Sequence, residues 1–146
     1  MRVRVRVCPR ERHWPLSWSH HGRIVSTLRL VAPFFDDFRL RPSPFNEQKL
    51  QLEWSERNSD AYFNAHALSD GTLRFICLAT LLLQPNLPSL ILIDEPELGL
   101  HPYAIQVLAG LVRSASQKTQ VILSTQSVTV VNQTCISCSQ TPVPGA

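Results

Sequence analysis

Glycine is scarce in this chain of 146 residues. Five are present, and none stands in a G-x-x-x-x-G-K-[ST] run that would wrap backbone N–H groups around phosphates. Long apolar runs are also missing. The longest, Phe75 to Leu83, is broken by Thr80 and falls far short of a bilayer span. No apolar segment follows the basic N-terminus, so a secretory signal of the usual form is excluded and the cytoplasm is the expected compartment. The four cysteines lack a metal-binding pattern. Cys135 and Cys138 have C-x-x-C spacing, but no second pair or nearby histidines complete a zinc set, and the Ser/Thr/Gln-rich surroundings argue against a redox motif. Cys77 lies inside an apolar helical pattern and reads as a small core residue.

What is present suits one globular domain. The chain is 44% hydrophobic and 17% charged, which argues against wholesale disorder, and its length is too small for two ordinary domains. The net charge of +3 is unevenly spread: residues 1–23 carry six Arg against Glu11 alone, and the remainder is mildly acidic. Such an arm can attract nucleic acid, and DNA is one partner it would admit; a solvated arm is the plainer reading.

Three regions follow: a basic irregular arm over 1–23, a structured part over 24–133, and a tail over 134–146 read as disordered. Ile24, Leu28 and Val31 follow helical spacing up to Pro33. The stretch from Phe34 through Arg41-Pro42-Ser43-Pro44 is too rich in proline for a central strand. Leu50, Leu52 and Trp54 alternate with polar residues, and a turn at Asn58-Ser59-Asp60 leads to a returning strand near Ala61–Phe63. A second helix, over 71–84, is apolar on nearly every face and is expected to be buried. Ser89 to Ile93 reads as a strand covered on both faces. Pro102 opens a helix carrying Ile105, Leu108, Leu111 and Val112, and Gln120 to Ser124 forms another short strand. Strand, helix and strand in this order predict a parallel βαβ unit.

In such a unit, functional groups gather beyond the carboxyl ends of the strands. Asp94-Glu95 ends one strand and Thr125-Gln126 the other, so both pairs converge on one sheet edge. Asp94 is a candidate Mg²⁺ ligand acting through water, and Glu95 a candidate general base for an attacking water. Taken alone, this pair reads equally well as an acidic turn. Upstream, Ser69 can cap the buried helix, and Gly71 would let a ligand approach the free N–H groups there. Taken alone, that is a simple helix cap.

The combination is more specific. Leu68-Ser69-Asp70-Gly71, Asp94-Glu95-Pro96, Gly99-Leu100-His101-Pro102 and Ser124-Thr125-Gln126-Ser127 occur in one order. Together they resemble the nucleotide-binding core of ABC-type ATPases, and more narrowly the SMC/RecF/OLD-like branch of AAA-type ATPases. The likeness is strong over 67–127 and weaker back to about residue 24.

The resemblance implies an α/β fold, a partial P-loop NTPase with a parallel βαβ core and a small antiparallel or irregular N-terminal part. It makes Leu68–Gly71 the signature motif, with Ser69, Asp70 and Gly71 facing nucleotide held by a partner. It makes Leu90–Glu95 the Walker B strand and places Gly99 and His101 in the D-loop region. Gln126 falls at the switch position, where the wider family usually has His; Gln can donate to a γ-phosphate but cannot carry a proton. ATP and Mg²⁺ are the implied cofactors, and a homodimer or a complex with a complete ATPase subunit the implied assembly.

The family's P-loop has no counterpart in the sequence. The expectation is therefore a C-terminal fragment of a longer ATPase, inactive alone. Two alternatives are a non-catalytic module completing a partner's ATP site, and a nucleic-acid-binding protein working through its Arg-rich arm.

Overall fold

The computed structural model describes residues 18–43 and 46–134. The Arg-rich arm before Trp18 and the Cys135/Cys138 pair lie outside the described residues. The order of elements is α1 (Trp18–Val31), β1 (Phe35–Ser43), β2 (Asn46–Glu56), β3 (Tyr62–Asn64), a 3-10 turn (Ala65–Ala67), α2 (Asp70–Leu82), β4 (Leu90–Asp94), α3 (Pro102–Ser116), β5 (Gln120–Ser124) and α4 (Val128–Thr134). Helix α1 begins at Trp18, inside the stretch whose sequence reads as irregular. A nonlocal contact supports this early start: His21 Nε2 lies 3.1 Å from Asp37 Oδ1 on β1.

Strands β1, β2 and β3 form an antiparallel sheet in that order. The proline-bearing β1 pairs only with β2, so it is an edge strand, where a missing N–H is tolerated. The turn before β3 uses Asn58 at φ +63°, a left-handed conformation that Asn accepts more readily than most residues, and Ser59 N–H closes it on Glu56 C=O at 3.2 Å. Trp54 is buried between Phe35 and Phe63, with ring centroids 6.1 and 5.0 Å away.

Strands β4 and β5 run parallel, with Asp94 opposite Ser124 at their carboxyl ends. Helix α3 connects them, opened by Pro102 in its first turn and capped by His101, whose Nδ1 accepts from Tyr103 N–H at 3.4 Å. One core joins the two sheets. Leu28 of α1, Phe35 of β1, Phe75 of α2, Ile91 of β4 and Leu108 of α3 all belong to it and are essentially inaccessible.

Two sequence expectations are corrected here. Strand β4 is covered on one face only. Ile91 and Ile93 are buried, whereas Leu90 is 50% and Leu92 74% exposed. Ile122 on β5 continues the open face at 45%. An unbroken apolar run does not reveal how many layers pack on a strand, and the helices packed here supply one.

Cys77 is exposed, not a core residue. The inward face of α2 is set by Phe75, Ile76, Ala79 and Leu82. At about 100° per residue, position 77 falls on the opposite side. Among the described residues no helix is long and apolar enough to cross a membrane.

Candidate functional site

The site lies where β4 and β5 end. Glu95 N–H donates to Ser124 C=O at 2.8 Å, carrying the parallel ladder one step past β4. The strand then stops abruptly, because Glu95 has φ +43°, a left-handed conformation uncommon for a non-glycine residue. Strained backbone of this kind costs of order 1–3 kcal/mol and clusters at functional sites. The turn is held by the Glu95 carbonyl, which accepts from Arg74 Nη1 at 3.0 Å and from Leu98 N–H at 3.2 Å. Helix α2 is thereby fastened to the residue that carries the second carboxylate.

Asp94 sits on the open face of β4, exposed, and no hydrogen bond or ion pair among the described residues engages its carboxylate. Glu95 is engaged: its Oε1 accepts from Gln126 Nε2 at 2.6 Å. Sequence reasoning placed these two residues at one sheet edge, and the structure brings them into contact.

Ser69 caps α2, its Oγ accepting from Thr72 N–H at 3.2 Å and lying 2.9 Å from Thr72 Oγ1. Asp70 occupies the first turn of α2, and neither residue is hydrogen-bonded to the Glu95–Gln126 pair. Gly71, expected from sequence to let a ligand approach, has a close backbone neighbour within the chain. A Cβ built there would stand 2.1 Å from the carbonyl oxygen of Gly99. Gly99 itself has φ +76°. The start of α2 and the loop before α3 therefore touch backbone to backbone. His101 ends that loop as the cap of α3.

Sequence reasoning missed Glu97. Its Oε1 accepts from Thr125 Oγ1 at 2.7 Å, Gln126 N–H at 2.9 Å and Ser127 N–H at 3.1 Å. Its Oε2 is buried without a hydrogen-bond partner among the described residues. Desolvation alone would push this carboxyl up. The hydrogen bonds from Thr125, from its own backbone N–H and from the Gln126 and Ser127 N–H groups outweigh it, so the carboxyl sits below the ordinary glutamate value.

A depressed folded-state pKa contributes stability that is fully present above the unfolded-state pKa and is lost as pH falls through the folded one. Chemical denaturation at a series of pH values should therefore show the native chain losing its advantage over Glu97→Gln only in that acid window. An advantage unchanged throughout the window would refute the assignment.

A single exposed carboxylate at a strand end suits Mg²⁺ bound through water, since that ion keeps several waters and needs no all-protein cage. Among the described residues no group of three or more His, Cys, Asp or Glu is placed to hold a metal by itself. Two hollows of about 330 and 300 Å³ lie against the antiparallel sheet, and neither is lined by Asp94, Glu95 or Gln126.

Solved structures with the same arrangement of elements are heads of SMC ATPases. One is an SMC ATPase studied for ATP-driven dimerization and DNA-stimulated activation, with 19% identity and a TM-score of 0.58 over 78% of this chain and 71% of the other. A second is an SMC head bound to the C-terminal winged-helix domain of ScpA, with 18% identity and a TM-score of 0.62 over 78% and 36%. A third is the Smc head with an extended coiled coil from Pyrococcus furiosus, bound to the C-terminal domain of ScpA, with 18% identity and a TM-score of 0.60 over 78% and 29%. The chain thus spans most of the first of these proteins but about a third of the other two. The likeness shows that this chain has the α/β fold of those P-loop NTPase heads. No curated protein matches the chain. The family described as "AAA domain, putative AbiEii toxin, Type IV TA system" matches residues 10–132. The chain belongs to that family.

Proposed function

We propose that this chain supplies the acidic strand edge and the signature-type helix start of an ATP-hydrolysing site completed by a second polypeptide. The observation that carries this reading is the 2.6 Å bond between Gln126 Nε2 and Glu95 Oε1 beside the unengaged Asp94. Glu95 would take a proton from a water as that water's oxygen attacks the γ-phosphorus, with ADP as the leaving group. Gln126 orients the Glu95 carboxylate and can turn its amide N–H toward a γ-phosphate oxygen. Asp94 would hold Mg²⁺ through water, and that ion would supply positive charge to offset the charge of the phosphates. Ser69, Asp70 and Gly71 would face nucleotide bound to the partner, with Gly99 and His101 bordering the same junction.

These 146 residues contain no P-loop, so the reading calls for a P-loop-bearing unit to complete the site. That unit could come from a homodimer of a longer chain or from a complex with a complete ATPase subunit. The reading predicts that the chain alone turns over ATP well below the roughly 1 s⁻¹ at the low end of typical enzymes. Mixing with a P-loop-bearing ATPase head of this fold should raise ATP turnover, and Asp94→Asn should remove the increase. Turnover by the chain alone at about 1 s⁻¹ or more, abolished by Glu95→Gln, would overturn the need for a partner. No stimulation by any such head would overturn the joint site.

A further inference from the structure

Gln126 reaches Glu95 from a loop, and loops alone rarely hold a 2.6 Å geometry. The structure shows what fixes this one. Three consecutive residues, Thr125, Gln126 and Ser127, all direct a donor at a single oxygen of Glu97. Two of the donors are successive backbone N–H groups, a concave arrangement suited to an anion. A carboxylate oxygen in such a cradle forms charge-assisted bonds, whereas an amide oxygen there would form weaker neutral ones.

On the other side, Glu97 is separated from Glu95 only by Pro96, which is fully buried and whose ring fixes its backbone φ. Glu95, Pro96 and Glu97 therefore act as one short rigid piece. One of its carboxylates meets the Gln126 side chain, and the other grips the backbone of Gln126. The same grip extends to α4, because Ser127 Oγ accepts from Val130 N–H at 3.4 Å at the start of that helix.

We infer that Glu97 is a positioning residue: its carboxylate locks the Thr125–Ser127 backbone so that the Gln126 amide is presented to Glu95. It touches neither nucleotide nor attacking water. The inference rests on the proposed roles of Glu95 and Gln126, and its test uses no nucleotide.

The experiment is amide NMR on the full ¹⁵N-labelled chain. The Gln126 side-chain NH₂ pair is identified by its disappearance in Gln126→Ala. In Glu97→Gln, which keeps the shape of the side chain, the Gln126 backbone N–H should exchange with solvent roughly tenfold to a hundredfold faster, the range expected for weakening charge-assisted bonds, and Ser127 N–H, which also donates to Thr125 Oγ1 at 3.0 Å, should accelerate by less. The Gln126 side-chain pair should move toward the position of a free carboxamide at the same time. Thr125→Val removes one donor to Glu97 and also the Oγ1 that accepts from Ser127 N–H at 3.0 Å, so it is read at Gln126, whose signals should shift in the same direction by less.

Faster backbone exchange with an unmoved Gln126 side-chain pair would overturn the inference, since Glu97 would then merely staple the loop. Unchanged exchange would overturn it as well. Failure here leaves the Asp94 and Glu95 assignment standing, and failure of the ATP turnover test leaves this result intact.

Discussion

Gly71→Ala is expected to cost about 3 kcal/mol or more, at or beyond the top of the usual range for overpacking. The new methyl carbon would stand 2.1 Å from Gly99 O and 3.0 Å from Gly99 C, and both are backbone atoms that no rotamer change can move aside. Gly99 cannot easily withdraw, because its φ of +76° is part of the turn leading into α3 and the loop is tied by Leu100 N–H to Glu97 C=O at 3.0 Å. The fair comparison is Gly110→Ala. Gly110 lies within α3 with nothing within 4 Å of its would-be Cβ, so Ala there should stabilise by about 0.5–1 kcal/mol through helix propensity. Urea unfolding of both variants checks the pair. Equal midpoints for Gly71→Ala and the native chain would mean that the start of α2 and the loop before α3 do not touch.

The second large effect is expected at Glu95. Gln in its place keeps the shape, and its amide oxygen can still accept from Gln126, so the geometry of the strand end survives. What disappears is the capacity to take a proton. In the complex with a P-loop-bearing subunit, single-turnover hydrolysis should fall by about 10²–10⁴, the contribution usual for a positioned general base. Nucleotide affinity should change little, because a group acting in the transition state contributes to rate more than to ground-state binding. Losses of equal size in affinity and rate would remove Glu95 from the chemistry. Because the Gln126 amide does not ionise, it contributes no histidine-type titration to the rate profile.

The order of elements in the second half could be read from sequence because its signals are local. The apolar run of β4, Pro102 at the start of α3, the stripe through Leu108 and Val112, and the short run of β5 each declare themselves within a dozen residues. The convergence of Glu95 and Gln126 followed from topology: two parallel strands joined by one helix end on the same edge.

What was not legible depended on residues far apart in the chain. Whether Leu92 is covered depends on what lies across the sheet, and nothing in Leu90–Ile93 specifies that. Glu97 has its partners 28 to 30 positions away, so its sequence neighbourhood shows only one more acid after Pro96. Arg74 similarly looks like a solvated helix charge until its donation to the Glu95 carbonyl, 21 residues on, is seen. Gly71 read from sequence as letting the backbone approach a ligand, and its close approach to Gly99 depends on a residue 28 positions away. Cys77 illustrates the opposite error: an apolar stretch tempts one to bury every member, while a helix can turn only part of its circumference inward.

The meeting of Gly71 with Gly99 has a further consequence for how the two halves of the site can communicate. A contact made wholly of main chain has no charge to screen, no proton to exchange and no rotamer to switch. It can transmit displacement and little else, as one gear tooth moves another. If the start of α2 is drawn toward a nucleotide, the loop before α3 must follow in step. That mechanical relation should be indifferent to salt and to pH, unlike the carboxylate-held geometry a few residues away.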